Sequence, residues 1–230
     1  MRNWVLAALL AGAALTLTGC GGSGGGANPP QSTPLTFSIT TTTPTTTVAT
    51  PTARAYIGPN GFPIETGAFL APSTTTRLGA IIDGIQCQPL AQLAYTTYAH
   101  LQVYVDGQSR ALPGGIGMVD ENVFETQHGL YYGTHTCMYW LHTRAADGLL
   151  EVQSPVSRRY TLGDFFQIWN QPLDATRVAL ARGPVTAIVN GRRWRGNPAA
   201  IPLTEHAAIQ LSVGKPTPAP RPVDWVGTNF

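Results

Sequence analysis

The chain has 230 residues, of which 43% are hydrophobic and only 11% are charged, whereas an ordinary soluble domain carries about 25% charged residues. Its 25 Gly and 19 Pro residues exclude a coiled coil or a long helical bundle, and its one long apolar run excludes a protein with several membrane spans. A formal net charge of +2 predicts no strong attraction to nucleic acid.

The N-terminal residues have the pattern of a bacterial lipoprotein signal peptide. Arg2 precedes an apolar stretch at residues 4–17 that is too short to span a bilayer comfortably. The stretch ends in L-T-G-C at residues 17–20, which matches the lipobox, whose cysteine accepts the lipid. We therefore predict a signal peptide at residues 1–19 and acylation, including palmitate, at Cys20. The alternative is an ordinary secretory signal with an unrelated cysteine.

Gly21 follows the predicted lipidation site, where Asp would direct retention in the inner membrane of a two-membrane bacterium. The sequence therefore predicts an outer-membrane lipoprotein that faces the periplasm or the cell surface. Residues 20–55 are rich in Gly, Thr and Pro and carry one charge, at Arg54, which predicts a disordered tether. A globular domain at residues 56–214 and a Pro-rich tail at residues 215–230 are expected to follow.

The globular part shows mostly the two-residue alternation of β-strands. Polar and apolar residues alternate over residues 100–105, which are followed by Asp106-Gly107, and residues 185–189 are followed by Asn190-Gly191. Both dipeptides are strong hairpin signals. Further strands are predicted at residues 138–143 and 149–153, joined by a short connection, and at residues 207–213. The expected fold is mainly β (α+β), a single antiparallel domain with one or two short helices.

One helix is marked by its N-terminal cap. Thr161 is followed three residues later by Asp164, and apolar residues recur with helical spacing at Leu162, Phe165 and Trp169. This aromatic stripe is interpreted as core packing. A second short helix is predicted at residues 89–95, because Pro is favoured in a first helical turn.

Three cysteines are present, and with Cys20 lipidated an even pair is left. In an oxidising compartment this favours a Cys87–Cys137 disulfide, with free thiols or metal ligands as the alternatives. The basic R-R-W-R segment at residues 192–195 is interpreted as a polar hairpin tip. An anionic lipid or a glycan is its alternative partner, and nucleic acid is not predicted.

Four segments carry a resemblance to a known family. They are residues 95–105, C-M-Y-W-L-H-T at residues 137–143, T-L-G-D-F-F at residues 161–166, and I-P-L-T at residues 201–204. In these segments the chain resembles a family of uncharacterised bacterial exported proteins and lipoproteins, over residues 83–214. Members of the family have the motifs H-I-H-A-H-L and W-L-H-T-H-D and a third strand with a His. The resemblance implies a related fold and a metal-binding patch, and it implies no activity.

The chain departs from that pattern at several of the motif positions. Tyr98 stands in place of a motif His, His100 and His142 are kept, Arg144 replaces a His, and Glu151 replaces the third-strand His. Arg144 and Glu151 lie on either side of a predicted turn, where cross-strand ion pairs form. The hypothesis is that a polar cluster of these residues has replaced the metal site. The alternative is a weak copper or zinc site that uses His100, His142 and Glu151.

The sequence thus predicts an envelope lipoprotein with a non-catalytic binding or structural domain and no cofactor. Its partners are the membrane, through the lipid anchor, and an unidentified envelope protein, glycan or small ligand. The oligomeric state is left open. A periplasmic copper- or zinc-binding protein is the alternative, and a hydrolase is a third hypothesis, for which no nucleophile–base pair has a recognisable context.

Overall fold

The computed structural model describes residues 56–228 and residue 230. The predicted signal peptide, residues 1–19, and tether, residues 20–55, lie outside the described residues. Within the described part the fold is mainly β with one short α-helix, which confirms the predicted class. None of the helices described there is long and apolar enough to cross a membrane.

Fourteen strands and three helical segments follow one another along the described residues. The strands are β1 (Ala68–Phe69), β2 (Cys87–Gln88), β3 (Tyr95–Val105), β4 (Gln108–Ala111), β5 (Met118–Thr126), β6 (Gly129–Tyr139), β7 (Leu141–His142), β8 (Leu149–Ser154), β9 (Leu173–Asp174), β10 (Arg177–Val178), β11 (Ala181–Arg182), β12 (Val185–Val189), β13 (Arg192–Arg193) and β14 (Ala207–Val213). The helical segments are α1 (Leu162–Ile168) and two short 3₁₀ turns, Ser73–Thr75 and Pro198–Ala200.

The largest sheet has eight strands and is built around β3. Along it β1, β4, β3, β14, β12 and β13 are neighbours in that order, while β8 pairs with the first half of β3 and β7 pairs with β8. Strand β14 runs parallel to β3 and antiparallel to β12. The last of the described strands, β14, therefore lies in the middle of the sheet.

Both predicted two-residue hairpins are present. Asp106 and Gly107, with φ of 50° and 77°, join β3 to β4, and Asn190 and Gly191, with φ of 49° and 74°, join β12 to β13. Two successive residues with positive φ make the turn whose twist matches that of the flanking strands. At the second tip Arg192 and Arg193 are exposed, in agreement with the interpretation of this segment.

A second sheet contains β2, β6 and β5 in that order. Its long β5–β6 hairpin was not predicted from the sequence. The Cys87 and Cys137 sulfurs are bonded, so a disulfide joins β2 to β6. Strands β9, β10 and β11 form a small third sheet.

Helix α1 has the predicted capping box: the Asp164 amide donates to the Thr161 hydroxyl, and the Asp164 carboxylate accepts from the Thr161 amide. The aromatic stripe belongs to the core, since Phe165 and Trp169 are fully buried. The second predicted helix, residues 89–95, is wrong. Leu90 and Leu93 are 76% and 68% exposed, so this segment has no buried apolar face to stabilise a helix, and Tyr95 already belongs to β3.

The predicted strand at residues 138–143 is interrupted at Trp140. Tyr139 ends β6 in the three-stranded sheet, whereas Leu141 starts β7 in the eight-stranded sheet. Met138 and His142 therefore lie on strands of two different sheets. The turn after β7 nevertheless joins it to β8 in the predicted antiparallel pair.

Candidate functional site

Three polar side chains form a row across neighbouring strands of the main sheet. Tyr98 on β3 lies directly opposite Glu151 on β8, and Glu151 lies directly opposite His142 on β7. Directly opposed residues of antiparallel strands project from the same face of a sheet. The fold thus brings together residues that are far apart in sequence.

The Glu151 carboxylate is the centre of a group that we call the Glu151 cluster: Tyr98, His142, Arg144, Glu151 and Gln153. Its Oε2 lies 3.3 Å from Arg144 Nε and 3.5 Å from His142 Nε2, and it accepts a hydrogen bond of 3.1 Å from Gln153 Nε2. Glu151 is only 3% exposed. Burial alone would raise the pKa of this carboxyl, but His142 and Arg144 together lower it below its ordinary value. The carboxylate is therefore ionised at neutral pH.

Two further contacts hold Arg144 in place. Its Nη2 donates to the Met138 sulfur at 3.5 Å, and its guanidinium carbon lies 5.7 Å from the centre of the Tyr131 ring. The predicted ion pair between Arg144 and Glu151 is thus present, with the arginine packed against the β5–β6 hairpin. A +1 and a −1 charge occupy the centre of the cluster.

His142 is fully buried and held by the backbone. Its Nδ1 lies 2.9 Å from the Tyr139 carbonyl oxygen, which can only accept, so Nδ1 carries a proton. Its Nε2 faces Glu151 at 3.5 Å but makes no hydrogen bond with any of the described residues. A second proton on Nε2 makes this contact an ion pair, and without that proton the lone pair is free to bind a metal ion.

His100 lies on the same face of β3 but in a different environment. It is opposite Leu149, its ring lies 5.3 Å from the Phe62 ring, and it approaches the Gly148 backbone closely. Burial lowers the pKa of His100 to about 4, so the ring is neutral at neutral pH. The described residues contain no group of three or more His, Cys, Asp and Glu side chains arranged to hold a metal ion.

The Pro-rich tail packs against this face of the sheet. The Pro218 carbonyl accepts from Gln210 Nε2 at 2.9 Å, and the Phe230 ring lies 4.6 Å from the Tyr98 ring. The Trp225 ring stacks on His206 at 4.3 Å. Burial, followed by the charge of Glu151, raises the pKa of the Tyr98 hydroxyl. The tail thus covers the Tyr98 end of the row.

A second site, not predicted from the sequence, is a groove of about 280 Å³ between residues 56–69 and the β6 strand. We call it the Glu65 groove; its apolar lining includes Ile64, Phe69 and Leu130. Burial and the nearby charge of Asp147 raise the pKa of Glu65 to about 8, although a hydrogen bond from the Leu112 amide opposes the rise. No motif surrounds Glu65, so the sequence carried no signal for this site.

Comparison with protein-family models, with curated proteins and with solved structures found no match. The resemblance to the family of bacterial exported proteins stays a prediction.

Proposed function

We propose that the protein is a bacterial cell-envelope lipoprotein, anchored through Cys20, whose β domain is a non-catalytic binding or structural module. The observation that supports the non-catalytic part is the pairing of Glu151. Its Oε2 lies within 3.5 Å of three nitrogen atoms of the protein itself, and only 3% of the residue is exposed. A carboxylate that acts on a substrate needs an accessible oxygen, whereas a paired and buried one fixes the relative positions of strands.

The lipid anchor is supported by the L-T-G-C sequence at residues 17–20 and by the apolar run before it. Several acyl chains, at ~0.8 kcal/mol per buried methylene, hold a protein on a membrane almost permanently. The proposed location is the outer membrane, with the domain facing the periplasm or the cell surface.

Metabolic labelling with an alkyne analogue of palmitate in a two-membrane bacterial host tests the anchor. The wild-type chain should incorporate the label and sediment with outer membranes in a density gradient, whereas Cys20→Ser should not be labelled. Cys87→Ser is the matched control, because it removes a cysteine outside the lipobox. An unlabelled wild-type chain in the cytosol would contradict the proposal.

A periplasmic copper- or zinc-binding protein that uses His100, His142 and Glu151 is the second candidate. One observation favours it: His142 Nδ1 is held by a backbone carbonyl while Nε2 points to Glu151. This arrangement of the second ring nitrogen is typical of histidines that bind metals.

Calorimetric titration of the chain with copper and with zinc separates the two candidates. A structural cluster predicts no stoichiometric binding at micromolar concentration. Micromolar binding that is lost in His142→Ala and kept in His128→Ala, an exposed control, would establish the second candidate instead. Circular dichroism of each variant shows whether it is folded.

A further inference from the structure

The Glu65 groove has the size and lining of a site for a small molecule. Its volume of about 280 Å³ corresponds to roughly nine water molecules at ~30 Å³ each, and thus to a ligand of about ten non-hydrogen atoms. The Tyr56 hydroxyl donates to the Gln127 carbonyl at 2.7 Å, which ties residues 56–69 to the turn of the β5–β6 hairpin. The groove is therefore bounded by two connected segments.

Large apolar side chains remain exposed around the groove. Phe69 is 58% exposed, Tyr56 54% and Leu130 49%, and Ile64 belongs to the same lining. Exposed apolar side chains gathered at a concave surface favour an apolar ligand, because burying them removes apolar area from water.

The one ionisable carboxyl of the lining, Glu65, has no positive partner. Its Oε2 accepts from the Leu112 amide at 2.7 Å, and its own amide donates to the Ala146 carbonyl at 2.9 Å. No Arg, Lys or His among residues 56–228 and 230 forms an ion pair with Glu65 or with the neighbouring Asp147. Asp147 is fully buried, and its Oδ2 has no hydrogen-bond partner in the same part of the chain. Two neighbouring acids thus lack a cation.

We propose that the Glu65 groove binds a small apolar molecule with a single protonated amine, whose ammonium group contacts Glu65 and whose hydrocarbon part packs on Ile64, Phe69 and Leu130. The ammonium group supplies the positive charge that the protein does not. This names a ligand class for the binding module proposed above, and it does not depend on lipidation at Cys20.

Binding of the cation has a proton signature. With its pKa near 8, Glu65 is about 90% protonated at pH 7 in the free protein. The bound ammonium favours the carboxylate, so binding at pH 7 releases about 0.9 proton, and binding at pH 9 releases about 0.1. A neutral or anionic ligand would release none.

Isothermal titration calorimetry of residues 21–230 tests the proposal with octylamine, octanol and octanoate as probes. This chain keeps every residue of the described core. Octylamine should bind at least tenfold more tightly than octanol, and titration in buffers of different ionisation enthalpy should give the proton release stated above. Equal affinity for amine and alcohol, tightest binding of octanoate, or no binding of any probe at millimolar concentration would overturn the proposal.

The variant Glu65→Gln should lose the preference for octylamine and the proton release, whereas Glu125→Gln, an exposed control on β5, should keep both. If Glu65→Gln does not fold, the proton count of the wild-type chain still decides the question. Failure of this proposal would leave the result of palmitate labelling unchanged, so the two are tested separately.

Discussion

The substitution Glu65→Gln should make the stability of the domain less dependent on pH. The pKa of Glu65 is raised to about 8 in the folded protein from an ordinary 4.5, so between these values the folded state keeps a proton that the unfolded state has lost. The stabilisation is complete below pH 4.5 and is lost as pH rises toward 8. The value of pH 7 lies about 2.5 units above the ordinary pKa that Glu65 has in the unfolded chain. At ~1.4 kcal/mol per unit, keeping Glu65 protonated in the folded state lowers the free energy of unfolding at pH 7 by about 3 kcal/mol. Some access to water through the groove reduces this to about 2 kcal/mol.

Urea unfolding at pH 5, 6, 7 and 8, followed by circular dichroism under non-reducing conditions, measures the effect. The free energy of unfolding of Glu65→Gln should exceed that of the wild type by an amount that grows by about 1.5 kcal/mol from pH 5 to pH 7. Subtracting the wild-type free energy of unfolding from that of the variant at each pH cancels the contribution of the other titrating groups. Glu125→Gln should show no such growth. Parallel pH profiles for wild type and Glu65→Gln would refute the reasoning.

Three more predictions concern the main sheet and the disulfide. Arg144→Ala removes the positive charge beside the buried Glu151 carboxylate and should lower the free energy of unfolding by about 3 kcal/mol at pH 7. Adding Glu151→Gln in the same chain should restore part of this loss. A loss under 1 kcal/mol in urea unfolding would contradict the prediction. The NMR signals of the His100 ring protons should titrate with a midpoint near pH 4. Because this pKa is lowered from 6.5, the stability that the neutral buried ring contributes to the fold is lost as pH falls from 6.5 to 4. A midpoint above 6 would refute the burial of His100 as a neutral ring. The Cys87–Cys137 disulfide closes a loop with a sequence separation of 50, so reducing it should lower the free energy of unfolding by about 4 kcal/mol and lower the urea midpoint. An unchanged midpoint would show that the bond is not formed in solution.

Local signals in the sequence predicted local structure. The hairpin turns at Asp106 and Asn190 and the capping box at Thr161 each depend on residues within a few positions of one another, and the structure confirms all three. The contact between Arg144 and Glu151 also followed from a short turn. These features need no knowledge of the rest of the chain.

Most features that depend on distant residues had no signal in local sequence patterns; the Cys87–Cys137 disulfide is an exception, because it followed from the number of cysteines. Strand β5 has a bulge at Asp120, where φ is 51° and the register shifts, so its alternation of polar and apolar residues is broken. The place of Glu151 opposite Tyr98 requires β8 to pair with β3, which no local pattern specifies. Glu65 is an isolated acid in sequence, and only the fold surrounds it with apolar side chains.

The position of β14 has a consequence for the order in which the domain is built. Residues 207–213 fill the space between β3 and β12, so the two parts of the main sheet stay apart until these residues have been made. Contacts between β3 and β14 span more than a hundred residues, and pairing over such distances in sequence is slow. A growing polypeptide that stops short of residue 207 would leave both flanking strands with open edges, ready to pair with another chain.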